Sequence, residues 1–297
     1  MAGQPTASSG RTPVAADSIV NAMTIDVEDY FQVSAFDAVV SREQWDTFPS
    51  RVVANTELLL RLFDDHRVKA TFFVLGWVAE KFPSLVKSIA GGGHELASHG
   101  YAHRLIYEQT PDAFRADIRR SKRFMEDLSG QRVFGYRAPS YSITKQSLWA
   151  LDVLVEEGFT YDASIFPIRH DRYGIPDAPR HVHGLKRSAG ELTEVPPSTV
   201  RIGSMNLPVA GGGYFRLLPY GWTRWGIARI NAHERRPAIF YLHPWEIDPD
   251  QPRLEAGTVS RFRHYRNLDK TEGRLRRLLT DFRFGRLTDV VPEAARC

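Results

Sequence analysis

The chain is nearly without cysteine. Cys297 is the one thiol among 297 residues, so no disulfide can close within the chain and stability has to come from a packed core. Such usage fits a reducing compartment, and a cytoplasmic location is expected. Long apolar runs are missing too. No window approaches 18 consecutive apolar residues, which excludes a transmembrane helix. Charge of one sign is not in large excess: 39 Lys and Arg stand against 35 Asp and Glu, a formal net charge of +4. That surplus is too small to argue for nucleic-acid binding, no nucleic-acid motif accompanies it, and no nucleic-acid partner is expected. The sequence also lacks internal repeats and low-complexity linkers that would divide it.

What is present suffices for a large core, since 42% of the residues are hydrophobic. Residues 1–16, rich in Ala, Ser, Thr, Gly and Pro, carry no apolar run and read as a disordered tail rather than a signal peptide. Residues 17–297 read as a single domain, with a core over about 20–245 and a C-terminal extension over about 246–297. Apolar and β-branched runs predict strands at 18–27, 69–75, 94–98, 133–136, 159–161, 192–195 and 238–243. Helices are expected at 54–65, between Trp77 and Ala90 with Pro83 as a break or a start, at 111–129, at 144–157 and at 270–283. The helix at 111–129 is the clearest. Thr110 can cap it, Pro111 suits its first turn and Gly130 its end, while Phe114, Ile118, Met125 and Leu128 give it one apolar face. Strand and helix alternate through the first 160 residues, which argues for an α/β fold with a parallel sheet and crossover helices. From about 165 to 235 Pro, Gly and His become frequent, and long loops are expected.

Five short segments carry chemistry. Each lies at or just after an expected strand end, where β/α folds place their active sites. The first, Thr24 to Asp29, crowds Asp26, Glu28 and Asp29 together. Like charges this close need a cation or an arginine to offset them. The cluster suits a metal ligand with a general base, and equally an acidic loop capping a helix. The second holds His99 and His103 at i and i+4, on one face of a helical turn, where two imidazoles can share a metal. With ten His in the chain, a chance pair accounts for this segment equally well. In the third, Gly135 to Tyr141, Arg137 precedes a Pro-fixed turn and can hold a carboxylate by a bidentate fork, although a lone loop Arg is more often plain surface. Tyr161-Asp162-Ala163-Ser164 is the fourth. The fifth, Phe240 to Trp245, places His243 after an apolar strand, as a general acid or as a core histidine.

No segment decides by itself, but their order along one alternating chain does. Through it the sequence resembles the polysaccharide deacetylase family, also called the NodB-homology or carbohydrate esterase family 4 group, over about residues 20–245. The strings Asp26 to Val33, Gly211 to Tyr220 and Leu242 to Glu246 resemble a subgroup found in exopolysaccharide loci associated with the exosortase protein-sorting system. The resemblance implies a distorted (β/α)7 barrel with its site at the C-terminal strand ends, followed here by a loop-rich C-terminal extension. It implies a divalent metal, usually zinc, held by one acidic residue and two histidines. His99 and His103 match the metal histidines, and Asp26 matches the general base. The family pattern has two adjacent aspartates, whereas Val27 follows Asp26 here, so the metal carboxylate is Glu28 or Asp29. Glu28 is favoured because on an extended strand it points to the same side as Asp26. Ser140 also departs, standing where an aromatic residue is common, with Tyr141 next.

The implied reaction is hydrolytic N-deacetylation of an N-acetylated amino sugar in an exopolysaccharide or its precursor. Asp26, held by Arg137, takes a proton from water. A backbone N–H near Ser140 or Tyr141 supports the oxyanion, and His243, oriented by Asp162, protonates the departing amine. Tyr214 and Trp245 are expected to offer faces for sugar rings. The expected partner is an N-acetylated glycan or a lipid-linked oligosaccharide. The C-terminal arginines, from Arg261 to Arg286, suit peripheral contact with an anionic membrane at its inner face, although interspersed Asp and Glu favour a solvated helix face. Nothing in the sequence marks an oligomeric state. Two rival functions stand beside this one. A same-fold amidase for a cyclic amide or ureide would need a small closed pocket. A non-catalytic sugar-binding or scaffold protein is kept in play by Val27.

Overall fold

Asn21–Val27 (β1) is buried along its whole length, the pattern of a strand covered on both faces. In the computed structural model, which describes residues 19–293, β1 lies in the middle of a parallel run. On one side follow Thr71–Val74 (β2), Glu95–Ser98 (β3), Gly135–Tyr136 (β4) and Tyr161–Asp162 (β5). His183–Arg187 (β6) and Gly190–Glu194 (β7) form a hairpin whose second strand is parallel to β5. Thr199–Ile202 (β8) and Met205–Pro208 (β9) make a separate ribbon, and Ile239–Leu242 (β10) returns parallel to β1 on its other side. The order β10-β1-β2-β3-β4-β5-β7-β6 is a barrel wall whose end strands are β6 and β10, with a seam where the chain after β7 meets β10. Ser198 spans that seam: its N–H donates to the Ile239 carbonyl at 3.2 Å and its Oγ accepts from the Ile239 N–H at 2.7 Å. The tail expected over residues 1–16, and Cys297, lie outside the described residues.

Val52–Asp65 (α1), Gly76–Lys81 (α2), Pro83–Gly91 (α3), Pro111–Ser129 (α4) and Trp149–Glu156 (α5) connect the parallel strands. Their apolar faces, with Leu62, Val86, Ile118 and Leu154, pack on one set of strand residues, Ile25, Phe72 and Leu96. The alternate set, Ala22, Phe73, Ala97 and Tyr161, fills the barrel interior, as period-two side chains require. The caps act as expected. Thr110 Oγ1 accepts from the Ala113 N–H at 3.3 Å, and Gly130 takes the left-handed conformation at φ 67°.

Two expectations are corrected. The stretch from 165 to 235 is not loop throughout, since it holds β6 to β9 and the helices Gly212–Leu217 (α6) and Tyr220–Arg229 (α7). Its strands are short and half-exposed, and apart from β7, expected at 192–195, no strong apolar run announces them. The Gly203-Ser204 turn, with Gly203 at φ 60°, was the one readable hairpin signal. Nor is the C-terminal extension loop-rich. It contains Thr258–Tyr265 (α8), Leu268–Asp281 (α9), Phe284–Gly285 (β11) and Leu287–Val290 (α10). The Leu268, Leu275 and Leu278 stripe of α9 is buried despite the charged composition around it, and β11 pairs with β1.

His94, just before β3, gives the fold a pH dependence. It is 3% exposed, and its Nδ1 accepts from the Ala70 N–H at 3.1 Å, so that nitrogen carries no proton. Burial, aided by the Lys69 charge, pushes its pKa down to about 4. In the unfolded chain a histidine titrates near 6.5. Between these values the unfolded state binds more protons, so stability present above about pH 6.5 is lost as pH falls toward 4. The share of His94 is on the order of 2–3 kcal/mol. Denaturant melts across this range should show a shallower pH slope for His94→Gln than for the parent.

Candidate metal and catalytic site

The C-terminal end of β1 delivers Asp26 and Glu28 to one side, because Val27 between them turns into the outer core. Both carboxylates are buried. His99 follows β3, and its Nδ1 lies 2.8 Å from the Arg137 carbonyl. A carbonyl only accepts, so Nδ1 carries the proton and the Nε2 lone pair is left for a metal. Burial pushes His99 down to about 4, which keeps it neutral. Gly100 at φ 74° and His103 at φ 49° turn the chain back tightly. Arg42 clamps that turn by donating to the carbonyls of Ala102 and His103.

Glu28, His99 and His103 each offer one ligand atom, and these atoms all lie within 4.8 Å of one another. Glu28 Oε2 is 2.7 Å from His103 Nε2, yet it is buried without a hydrogen-bond partner among the described residues. A desolvated carboxylate oxygen left in this way is costly unless a cation occupies the space it faces. One carboxylate and two imidazoles are also the donor set of a catalytic zinc site with an open position. The residues therefore fit a divalent ion. Burial acts to raise the Glu28 pKa, but the histidines, His103 foremost, outweigh it and hold Glu28 at about 2. Asp29 is engaged elsewhere. Its Oδ2 accepts from Ser50 Oγ at 2.6 Å and from the N–H groups of Arg51 and Val52 at 2.9 and 3.2 Å, at the start of α1. Of the two carboxylates the sequence leaves open, Glu28 faces the histidines and Asp29 caps a helix.

Arg137 is fully buried. Its Nη1 donates to Asp26 Oδ1 at 2.6 Å and to Thr24 Oγ1 at 2.8 Å, and its Nε to the Ala163 carbonyl at 3.2 Å. The carboxylate contact is single, not the expected fork, because Thr24 and Ala163 draw the guanidinium across the barrel. His243 Nε2 lies 3.8 Å from Asp26 Oδ2 and 3.7 Å from Glu28 Oε1. Burial alone would lower its pKa, but the 2.7 Å bond to Glu246 and the charges of Glu28, Glu246 and Asp26 outweigh it. His243 is pushed up to about 9 and is cationic at neutral pH. Glu246 is held at about 2: burial opposes ionisation, and Arg216 together with His243 overcomes it.

Asp162 does not reach His243, a second correction of role. In the sheet β5 lies beside β7, four places from β1, whereas β10 adjoins β1 directly. Asp162 instead accepts from Ser164 Oγ, which accepts from the Ala138 N–H at 2.7 Å, and so it shapes the loop after Arg137. Burial pushes up both Asp162 and its neighbour Glu194, and a hydrogen bond joins the two carboxyls. The partner of His243 is Glu246, backed by Arg216, which also donates to the carbonyls of Arg263 and His264. Sequence reasoning missed both residues, although each sits inside a string already singled out.

Ser140 and Tyr141 follow with φ 51° and 53°, a left-handed pair costing on the order of 1 kcal/mol or more each. The Tyr141 N–H is spent on the Ala138 carbonyl at 3.0 Å, so the oxyanion expectation passes to Ser140. The Tyr141 ring packs on Phe166 and Tyr241. Ser140 and Tyr214 line a groove of about 470 Å³, with Ser34, Tyr173, Leu217 and Arg263. Tyr214 is half-buried, its hydroxyl 3.4 Å from that of Tyr173. Trp245 is not the open ring face expected. It is 4% exposed, sandwiched between His243 and His264, and its Nε1 donates to Glu28 Oε1 at 3.2 Å. Its neighbours cover both faces of the ring, so it holds the site instead of a sugar. Gly211 and Gly212 lie under Tyr241, where an added Cβ would come within 2.1 and 2.5 Å of it.

Comparison with known proteins bears on the fold and on the middle of the chain. Residues 41–160 match the family described as polysaccharide deacetylase, and residues 163–292 match a domain of unknown function, DUF3473. Asp26 and Glu28 precede both matches, and His243 falls in the second. A peptidoglycan-N-acetylglucosamine deacetylase of Bacillus cereus is 37% identical over 98 residues, 33% of this chain and 36% of that protein. A peptidoglycan deacetylase of Helicobacter pylori is 32% identical over 107 residues, 36% of each. The chain thus spans about a third of the length of these relatives. A Mycobacterium smegmatis protein described as a polysaccharide deacetylase shares the fold, with a TM-score of 0.62 at 18% identity over 97% of this chain and 93% of that one. So does Puue allantoinase, with a TM-score of 0.61 at 13% identity over 95% and 90%. The strand-end motifs and the barrel agree with the match of residues 41–160 to the polysaccharide deacetylase family.

Proposed function

We propose that the protein is a metal-dependent N-deacetylase acting on an N-acetylated amino sugar of an exopolysaccharide or its precursor. The observation that carries this reading is the placement of Asp26 and His243 beside the Glu28–His99–His103 cluster, the one fixed by Arg137 and the other by Glu246. A divalent ion held there, zinc by its donor set, supplies Lewis-acid polarisation of the acetamide carbonyl and acidifies water. Asp26 Oδ2, the oxygen not bonded to Arg137, accepts the proton of the attacking water. The Ser140 N–H is the donor assigned to the developing oxyanion. His243 brings a proton on Nε2 to the departing amine, while Glu246 fixes its ring. The products are acetate and a free amine.

The relatives named as N-acetylglucosamine and peptidoglycan deacetylases support the substrate class. The groove also favours a glycan over a small cyclic amide, because it runs out to solvent past exposed Leu217 and Val259. The test is acetate release from N-acetylglucosamine oligomers. Metal-stripped protein should release none, zinc or cobalt should restore release, and His99→Ala should neither hold one ion per chain nor react. Release that persists without metal, or a fully loaded protein that leaves the oligomers intact, overturns the reading.

A further inference from the structure

We propose that the mouth of the groove is a docking surface for an anionic lipid bilayer. No helix among the described residues is long and apolar enough to cross a membrane, so the contact is with its surface. α8 lies along the mouth. Its inner side is anchored by His264, which stacks on Trp245 and packs against Phe36. Its outer side carries Val259 and Phe262, 63% and 56% exposed, and Leu217 of α6 adds a third apolar side chain at 36%. These are among the few large apolar residues left in water.

Around them stand Arg253, Arg261, Arg263 and Arg266, all exposed. Arg253 lies over the Tyr265 ring and Arg266 over the Phe262 ring. Among the described residues none of these four guanidiniums has an ion-pair partner. Further along the stretch Arg276 pairs with Glu272, Arg277 with Asp281 and Arg286 with Asp289, while Arg283 has no ion-pair partner among the described residues. No side chain lining the groove is a carboxylate. Four unpaired guanidiniums and two exposed apolar side chains are thus gathered on and beside one short helix at the mouth.

An anionic bilayer answers both halves of this pattern. Apolar side chains enter below the headgroups while guanidiniums stay at the phosphates. A second copy of the chain fits poorly, since a two-fold contact would set these arginines against themselves. A hydrated polyanion would use the arginines and leave Val259 and Phe262 in water. The helix is short, so the binding is reversible and salt-sensitive.

The full chain, sedimented with vesicles of phosphatidylglycerol and phosphatidylcholine and with phosphatidylcholine alone, should bind the anionic vesicles and come off at high salt. Each Arg near such a surface is worth roughly fivefold, so Arg261→Gln with Arg266→Gln should lower partitioning by about 25-fold. Phe262→Ser should weaken it as well. Thermal midpoints should match the parent, because these side chains point into solvent. Vesicle binding is read without any reaction and stands apart from the deacetylase assignment. Lack of binding, equal binding to neutral vesicles, or binding indifferent to the substitutions overturns the proposal. So does a concentration-dependent dimer that Phe262→Ser dissolves, which would make the face a contact between copies.

Discussion

Asp26→Asn should lower acetate release by about 10²–10⁴-fold, the span of a lost general base, while one zinc ion per chain is still bound. The substitution keeps the shape and one oxygen, so the amide can still accept from Arg137. It removes the basic oxygen, Oδ2, that lies nearest His243. Asp26 is not among the three residues whose ligand atoms converge, so zinc stoichiometry and activity should separate. The loss should fall on kcat with KM little changed, since Asp26 acts on water and not on the sugar. Zinc lost together with activity would make Asp26 a ligand. A loss smaller than tenfold would place the base elsewhere.

The second large effect is on stability. Arg137→Met leaves the buried Asp26 carboxylate without its cation, removes the bonds to Thr24 and Ala163, and vacates a place 4.1 Å above the Phe73 ring. Breaking a buried pair by deleting one partner costs about 3–5 kcal/mol, mostly the penalty of the charge left behind. At roughly 2–4 °C per kcal/mol for a chain of this size, the melting midpoint should fall by about 10 °C. Combining Arg137→Met with Asp26→Asn removes that stranded charge. Denaturant unfolding should therefore show the double variant destabilised by less than the sum of the singles, with a coupling of about 1–3 kcal/mol. Strict additivity would mean that packing on Phe73, not the ion pair, makes Arg137 matter.

Much of this was legible beforehand, for local reasons. β1 carries Ala22, Met23, Ile25 and Val27 within seven residues, and α4 carries its own start and stop in Thr110, Pro111 and Gly130. The motif residues are short-range strings at strand ends, and they survive the absence of any structural knowledge. Strand alternation favoured Glu28 over Asp29 but left both open. What was not legible depends on which strand lies beside which. The resemblance made Asp162 a partner for His243, but the sheet order places it beside Ser164 and Glu194. Glu246 takes its place only because Pro244 starts a short turn that folds the carboxylate back onto Nδ1. Arg216, 30 positions away, is brought in by packing. Trp245 read as a sugar platform because sequence shows a ring and not what covers its two faces.

The position of β1 has a consequence for how the protein is made. The strand carrying Asp26 and Glu28 is paired on one side with β2, but its other edge waits for β10, and the start of its β2-side edge waits for β11. Thr24 bonds Phe240 across 216 positions, and Asn21 bonds Arg283 across 262. At about 5–20 residues per second, a nascent chain holds that edge open for tens of seconds after β1 has left the ribosome. Such an edge invites pairing with other chains, which makes it a natural place for a chaperone to act. His243 also arrives only with β10, so a stalled or truncated translation product carries two carboxylates and two histidines but no proton donor. A chain that stops before β10 therefore lacks the proposed proton donor, whatever else of the site it has assembled.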